Sequence, residues 1–503
     1  MAQEESSKIV EVCNIEPIHE TTESFQSPTS LPLTFFDLLW LRFPPVERLF
    51  FYEFTKNSTI SFYDSILPNL KHSLSLTLQH FLPLAGNIIW PNDSSKPIIN
   101  YVLGDSVSFT VVESKASFKD LSSNHCDASQ RYHLIPLLKT SHEKASLVSI
   151  QVTLFPNFGF CIGITTHHAT FDGNSSTIFM KSWAYTCSNL IQTLLSSQPN
   201  SELVGLISPE NQTLKTEKNT CFNFGQTLLI SQQNSQSTLS SLSLPKELTP
   251  FWDRSVIQDS NGISEAFVDA WMKHGGPNNR SLKVWDFSSK VKNDKVKRLF
   301  QLTPSNIQKL KEHAQNEMKN KVHLSTFSVT CAYMLSCLAK AEQPKVDKVI
   351  FIFSVDCRTR LDPPISPMYF GNCIAGQKIV LETKDLVGKN GFFVALEGIN
   401  ESLKRVKDGE VLNGAKNWLS YILEGSESTK IYSIAGSPRF EVYGIDFGFG
   451  KPKKVDMTSI DKTGAFSLSE RNDDNGGIEI GLALSNQQIQ DFSTLFVQGL
   501  ESI

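Results

Sequence analysis

The stretch HHATFDG at residues 167–173 decides how the rest of the chain is interpreted. Two predicted strands, 146–155 and 160–168, precede it, and the turn-like residues 156–159 join them into a hairpin. The residues after it, Asn174, Ser175 and Ser176, are good helix N-cap types, and apolar residues at helical spacing follow them. We therefore place the stretch on a strand-to-helix turn, where a side chain can project into a cleft.

The chemistry of this stretch rests on His168, Asp172 and Gly173. Histidine is the side chain best suited to take up a proton at neutral pH, and an aspartate followed by glycine can secure the turn that aims it. A buried, hydrogen-bonded histidine and a metal pair are the other interpretations. Adjacent strand residues such as His167 and His168 point to opposite sides, and no third ligand lies at a typical spacing, so we expect no metal.

Length, charge and cysteine content exclude several classes of protein. A chain of 503 residues suits two domains, and 47 basic against 51 acidic residues give no reason to expect nucleic acid as a partner. The N-terminus lacks a signal-peptide pattern, and no apolar run is long enough to span a bilayer. The nine cysteines are scattered and form no CxxC pair. We expect a monomeric cytoplasmic protein with free thiols and no membrane partner.

Composition divides the chain into three parts. The stretch 191–245 is rich in serine, threonine, asparagine and glutamine and lacks periodicity, which is typical of a loop or linker. Residues 1–190 and 246–503 each mix strand and helix patterns, among them an amphipathic helix at 302–319, a more buried helix at 323–341 and strands at 348–357 and 477–485. The sequence therefore predicts an α/β or α+β chain of two lobes, with mixed sheets, joined by a long crossover loop.

Two later segments carry further unusual residues. In SVDCRTRLDPPISPMYFGNC (354–373) a predicted strand ends at Arg358 and Arg360, either of which is a candidate to pair with a buried carboxylate such as Asp172. In YGIDFGFGKPKKV (443–455) glycines surround Asp446, which is typical of a tight turn between strands; a structural clasp near a cofactor tunnel is the functional interpretation.

Together these segments resemble the plant BAHD acyltransferase family. HHATFDG matches the family's HxxxDG motif, YFGNC at 369–373 follows, and DFGFG at 446–450 matches its DFGWG motif, all in the family's order. The stretches TFFDLLWLRFPPVERLFFYEF (34–54), LQHFLPLAGNI (78–88) and FWDRSVI (251–257) are also similar to it. YFGNC and PPVERLFFYEF most resemble the clade that acylates anthocyanin, flavonoid and other phenolic glucosides, often with malonyl-CoA.

The resemblance implies two chloramphenicol-acetyltransferase-like lobes with a channel between them. It implies that no cofactor is bound, that an acyl-CoA, namely malonyl-CoA, is a co-substrate and that a phenolic glycoside is the acceptor. His168 would act as general base without an acyl-enzyme, while Asp172 would pair with Arg358 or Arg360. A hydroxycinnamoyl-CoA-dependent enzyme and a non-catalytic binding homologue are the competing interpretations.

The resemblance also assigns structural and binding candidates. Phe449 stands where the family has tryptophan, so an indole N–H cannot act as a donor there. A malonyl carboxylate requires a cation or a cluster of N–H groups in the cleft. The structural candidates are Gly173, Asp446, Phe447, Gly448, Gly450, Arg358 and Arg360, and the candidates for substrate binding are Lys181, Arg254 and Lys451.

Overall fold

The computed structural model describes residues 7–18, 27–54, 61–196, 243–286, 294–318, 324–424, 429–473 and 475–503. The predicted crossover lies almost wholly outside these ranges. The strands are β1 (Ser7–Ile15), β2 (Ser30–Pro32), β3 (Val46–Glu53), β4 (Asn87–Ile89), β5 (Ile98–Asn100), β6 (Val107–Ser114), β7 (His125–Asp127), β8 (Lys144–Ser146), β9 (Val148–Phe155), β10 (Gly159–Thr166), β11 (Lys295–Leu302), β12 (Lys348–Asp356), β13 (Ile374–Glu382), β14 (Thr429–Ala435), β15 (Lys454–Met457), β16 (Phe466–Glu470) and β17 (Ile478–Ser485).

Twelve α-helices accompany these strands in the described ranges, together with short 3₁₀ turns such as Ala128–Leu134, Arg254–Val256 and Pro438–Phe440. Among these helices, none is long and apolar enough to cross a membrane. They are α1 (Phe35–Leu38), α2 (Leu67–His80), α3 (Phe118–Leu121), α4 (Gly173–Ser196), α5 (Ile263–Lys273), α6 (Pro304–Glu317), α7 (Thr326–Glu342), α8 (Thr383–Val387), α9 (Gly391–Lys407), α10 (Trp418–Glu424), α11 (Ile460–Thr463) and α12 (Asn486–Glu501).

Two mixed sheets form the two lobes. The first has the order β1-β6-β9-β10-β3-β15 and the second β13-β12-β14-β16-β17-β11-β7; a smaller sheet, β2-β5-β4-β8, accompanies the first. Parallel pairs, β6 with β9 and β12 with β14, occur beside antiparallel ones. Helices α2 and α4 pack against each other in the N-terminal lobe, as α7, α9 and α12 do in the C-terminal lobe. The prediction of an α/β chain with mixed sheets is confirmed.

The predicted local elements agree with the structure to within a few residues. Strands β9 and β10 form the expected antiparallel hairpin, in the register Thr166 opposite Val148. Thr303 caps α6, whose first residue is Pro304, and a capping box between Ser485 and Gln488 begins α12. These boundaries follow from capping side chains, which satisfy the free N–H groups of the first helical turn.

Each main sheet contains one strand from the other half of the chain. The C-terminal strand β15 pairs with β3 at the edge of the first sheet, and the N-terminal strand β7 pairs with β11 at the edge of the second. The lobes are therefore joined by backbone hydrogen bonds as well as by side-chain packing. The division of the chain into an N-terminal lobe (1–190), a crossover (191–245) and a C-terminal lobe (246–503) stays a prediction.

A buried ion cluster fixes β15 in place. Oδ2 of Asp456 lies 2.8 Å from Nη1 of Arg131, and its Oδ1 lies 2.9 Å from Nζ of Lys297, with all three side chains at most 2% exposed. Lys297 also lies 2.9 Å from Asp461. Burial alone would raise the pKa of Asp456, but the two cations hold it well below its usual range. Asp456 therefore joins the 3₁₀ turn Ala128–Leu134 to β11 through β15.

Asp456→Asn tests this cluster. We expect it to lower the free energy of unfolding by about 3–5 kcal/mol, because Arg131 and Lys297 are left buried without their shared carboxylate. Urea denaturation measures the change. Glu382→Gln, which removes the half-exposed pair of Glu382 with Lys348 at 3.9 Å, is the control and should cost less than about 1 kcal/mol. Equal costs for the two variants would contradict this interpretation.

Candidate active site

His167 and His168, which follow the hairpin, lie in different surroundings. The N–H of His167 bonds the carbonyl of Leu147 at 2.9 Å and so continues the ladder beyond β10. The His167 side chain is fully buried, and its Nδ1 lies 3.2 Å from the N–H of Ala169. His168 instead lines a large cavity. The alternation along an extended chain thus separates a packed histidine from one that faces open space.

The cavity that His168 lines lies between the lobes and has a volume of about 3040 Å³. Residues of the N-terminal lobe in its wall include Trp40, Arg48 and Thr166, and those of the C-terminal lobe include Phe353 and Phe440. A cavity of this size with walls from both lobes has room for two substrates to approach one side chain.

The imidazole of His168 is held by stacking. Its ring lies 4.0 Å from the ring of Trp40, with an interplanar angle of 8°. Its Nδ1 is buried and has no hydrogen-bond partner. Burial lowers the pKa of His168 to about 4. Because burial disfavours the charged form, the ring is expected to be neutral at pH 7 and available as a proton acceptor.

Asp172 does not bind His168. Its Oδ2 lies 2.9 Å from Nη1 of Arg358 and its Oδ1 lies 3.2 Å from Nη2, a bidentate pair in which both side chains are 1% exposed. The N–H groups of Cys373 and Ser175 complete its contacts at 3.0 and 2.9 Å. The carboxylate therefore ties the turn after His168 to the C-terminal lobe.

The start of α4 differs from the predicted one. We expected Asn174, Ser175 or Ser176 to cap this helix, but the helix begins at Gly173 and Asp172 occupies the cap. Its side chain accepts from the N–H of Ser175, and its carbonyl accepts from the N–H of Ser176 at 2.9 Å. A carboxylate is favoured there because it meets both the free N–H groups and the positive end of the helix dipole.

The two candidate arginines have different environments. Arg358 is buried and also donates to the carbonyls of Tyr369 and Gly371, at 2.9 and 3.2 Å from Nη2. Burial alone would lower its pKa, but Asp172 outweighs that effect and raises it. Arg360 is exposed and donates to the carbonyl of Asp356. Of the two, the structure brings only Arg358 to Asp172.

The YFGNC segment at 369–373 connects the same turn to helix α1. The side-chain amide of Asn372 donates to the carbonyl of His168 and to Oδ1 of Asp37, both at 3.1 Å. Asp37, fully buried, also accepts from Arg254 at 3.4 Å, and Arg254 donates to the hydroxyl of Tyr369 at 2.7 Å. The sequence reasoning missed Asp37, although Thr34 and Asp37 at capping-box spacing were a visible signal.

The DFGFG loop at 446–450 packs against the N-terminal lobe, outside the wall of the cavity. Asp446 accepts from the N–H groups of Gly448 and Gly450 at 2.8 and 2.9 Å, which closes the loop. Phe447 is buried edge-on to Trp183, at a ring distance of 4.8 Å. Phe449 meets Phe160 edge-on at 6.3 Å, and neither phenylalanine lines the cavity. The loop thus packs as a clasp between lobes, but its aromatic rings lie outside the cavity wall.

The three candidates for substrate binding lie outside the cavity wall as well. Lys181 pairs with Glu441 at 3.2 Å, Arg254 is buried beside Asp37, and Lys451 is exposed at the end of the DFGFG loop. Proximity in sequence to a motif did not predict proximity to the cavity for these three residues. Their role in substrate binding stays a prediction.

The described residues were also considered as possible metal ligands. Within the described ranges, no group of three or more His, Cys, Asp or Glu side chains is arranged to hold a metal ion. The cavity wall carries His168 together with both apolar and charged side chains.

The comparisons identify the family. The sequence pattern of the "Transferase family" matches residues 8–243 and 234–497. The chain belongs to the BAHD acyltransferase family. Its resemblance to this family, predicted from the motifs, is confirmed, and as a BAHD acyltransferase it is an enzyme that uses acyl-CoA as co-substrate.

Relatives of several specificities share this level of similarity. The chain is 36% identical to phenolic glucoside malonyltransferase 1 of Arabidopsis thaliana, over 99% of both chains. It is 33% identical to the malonyl-CoA:anthocyanidin 5-O-glucoside-6''-O-malonyltransferase of that plant, over 97% of this chain and 98% of the other. It is 31% identical to agmatine coumaroyltransferase, also from that plant, again over 97% and 98%.

A solved structure supports the two-lobed fold. The chain superimposes on the crystal structure of vinorine synthase with a TM-score of 0.63, covering 96% of each chain at 17% identity. At that identity the likeness concerns the fold alone. The predicted architecture of two lobes is confirmed by it.

Arg358→Gln and Arg360→Gln form a matched pair that tests the Asp172 contact. We expect Arg358→Gln to lower the free energy of unfolding by about 3–5 kcal/mol, because it leaves the Asp172 carboxylate buried without its cation. Arg360→Gln removes an exposed charge and should stay within about 0.5 kcal/mol of wild type. Guanidinium denaturation of both variants measures the difference, and similar stabilities would contradict the assignment.

Proposed function

We propose that this BAHD acyltransferase transfers a malonyl group from malonyl-CoA to a sugar hydroxyl of a phenolic or flavonoid glucoside, with His168 as general base. The observation that carries the proposal is the position of His168, a neutral imidazole in the wall of a cavity shared by both lobes. Its Nδ1 is buried, which leaves Nε2 as the nitrogen to meet substrate.

The proposed reaction is a direct transfer. Nε2 of His168 takes the proton of the acceptor hydroxyl while the oxygen attacks the thioester carbonyl, and a tetrahedral intermediate forms. Its collapse breaks the C–S bond, and the CoA thiolate leaves and recovers the proton from the imidazolium. None of the described residues in the cavity wall is a cysteine, which favours a route without a covalent thioester on the enzyme.

The donor is inferred from relatives. Two of the relatives described above are named as malonyltransferases of phenolic or anthocyanidin glucosides, and the better match covers nearly the whole chain. The agmatine coumaroyltransferase keeps a hydroxycinnamoyl donor as the second candidate. Incubation with malonyl-, acetyl- and coumaroyl-CoA and a mixture of phenolic glucosides, read by mass spectrometry, separates the two. Failure of every acyl-CoA to be consumed would contradict the proposed donors and acceptors.

We further propose the cytosol as the working compartment. The eight described cysteines are all free thiols, and all but Cys13 are buried. Unpaired cysteines in this number suit a reducing environment.

His168→Ala tests the proposed base. We expect kcat to fall about 10²–10⁴-fold, because a positioned base contributes that factor, while CoA binding measured by calorimetry changes little. His125→Ala removes an exposed histidine of β7 and serves as control, with activity near that of wild type. Turnover of His168→Ala above about a tenth of the wild-type value would contradict the role.

The pH profile of kcat/KM gives an independent test. A base must be neutral to accept a proton, so activity is retained above the pKa of His168 and lost as pH falls through it. Because burial lowers that pKa from 6.5 to about 4, we expect a plateau from pH 8 to about 5.5 and a decline below it. Enzyme returned from each pH to pH 7 controls for unfolding. An inflection between pH 6 and 7 would contradict the buried, neutral imidazole.

A further inference from the structure

Arg48 lies in the wall of the same cavity as His168. It is the third residue of β3, which pairs with β10 so that Val46 stands opposite Thr166, two residues before His168. Val46 and Arg48 share one face of β3 because side chains alternate along a strand, and both line the cavity together with Thr166. The strand next to the hairpin thus carries an arginine towards the reaction space.

The guanidinium of Arg48 is buried without a partner. The side chain is 5% exposed, and its Nη1 has no hydrogen-bond partner. In the described part of the chain there are four other buried arginines, Arg42, Arg131, Arg254 and Arg358, and each donates to carbonyls or carboxylates. Arg48 alone among these five forms no hydrogen bond or ion pair. A buried charge of this kind is costly unless a ligand or partner compensates it.

Glu470 is the acidic side chain whose charge acts on Arg48, but it does not form an ion pair with Arg48. Burial lowers the pKa of Arg48 to about 10, against the attraction of Glu470, so the side chain is still cationic at neutral pH. Glu470 accepts from the N–H of Tyr443 at 2.7 Å through Oε1. Arg48 is therefore a cation of the cavity wall that pairs with none of the described carboxylates.

The other cations in the cavity wall are less suitable for a small acid. Arg358 is saturated by Asp172, and Lys462 contacts Glu47 at 2.5 Å. The remainder are exposed to solvent or, in the case of Lys311, hydrogen-bonded to Thr326. Solvated cations discriminate poorly between a charged and a neutral acyl group, whereas a desolvated guanidinium discriminates strongly. The exposed members are Arg360, Lys378, Lys404, Lys407 and Arg439.

We propose that Arg48 binds the terminal carboxylate of the malonyl group and thereby selects an acidic acyl donor. This proposal rests on the proposed function, since it assigns the donor subsite of the same cavity. The planar guanidinium matches a carboxylate with two parallel N–H···O bonds. A neutral acyl group such as acetyl or coumaroyl leaves the guanidinium unpaired, and the site rejects it for that reason.

The test compares malonyl-CoA with acetyl-CoA as donors for wild type, Arg48→Gln and Arg48→Lys, using a phenolic glucoside that wild type accepts. We expect Arg48→Gln to lower kcat/KM for malonyl-CoA at least about 100-fold and to leave that for acetyl-CoA within about threefold. Arg48→Lys keeps the positive charge but cannot donate two parallel hydrogen bonds. Its kcat/KM for malonyl-CoA should lie between those of wild type and Arg48→Gln. Arg439→Gln, which removes an exposed arginine of the same wall, should keep the malonyl-to-acetyl ratio within about twofold of wild type.

The outcomes separate this proposal from the proposed function. If wild type prefers malonyl-CoA and the ratio is unchanged in Arg48→Gln, Arg48 is not the carboxylate subsite, although the function stands. If both donors are lost equally, Arg48 is a structural partner of Glu470 and the proposal is overturned. If Arg48→Gln does not fold, the ratio in Arg48→Lys decides in the same way. If wild type transfers only neutral acyl groups, the malonyl donor itself is wrong.

Discussion

The ion pair between Asp172 and Arg358 is the contact on which the site depends. It is buried and bidentate, and it joins the turn that carries His168 to the segment after β12. Charges placed in such an environment are stabilising only when their hydrogen bonds are complete, and breaking one partner is costly. Here the N–H groups of Ser175 and Cys373 donate the remaining hydrogen bonds to the Asp172 carboxylate, so the turn has one favourable arrangement.

Two further buried carboxylates repeat this design. Asp37 connects α1 to Asn372 and Arg254, and Asp456 connects β15 to Arg131 and Lys297. In each case one acidic side chain joins segments that are far apart in sequence. Separating the lobes would expose three such clusters and also break the strand pairs of β15 with β3 and of β7 with β11. The cavity between the lobes is therefore preorganised, which places donor and acceptor without a large reorganisation.

Asp172 and His168 have different tasks in this site. Asp172 holds the backbone, while the ring of His168 is oriented by stacking on Trp40 and by the buried position of its Nδ1. The low pKa of His168 follows from its burial. Charge is thus concentrated in the scaffold around the base, and the base itself is kept neutral.

Local pattern predicted much of this fold, and tertiary contacts explain what it missed. The hairpin before His168 and the helix at 302–319, which is α6, were visible because alternation and helical spacing act over a few positions. The pairing of β15 with β3 was not visible, since register between distant strands leaves no local signal. Arg358 was one of two equal candidates until burial distinguished it from Arg360. Lys181, Arg254 and Lys451 were chosen as substrate-binding candidates because they lie near motifs in the sequence. Arg48 was not chosen, although it lies in PPVERLFFYEF, one of the stretches that carry the family resemblance.

The most direct test of the scaffold is a double-mutant cycle on kcat/KM with Asp172→Asn, Arg358→Gln and the double variant, each corrected for its folded fraction. If the pair acts as one unit that positions His168, both single variants lose activity and the double variant is no worse than the poorer single one. If the two losses multiply in the double variant, the residues act independently, and the pair is not what holds the base in place.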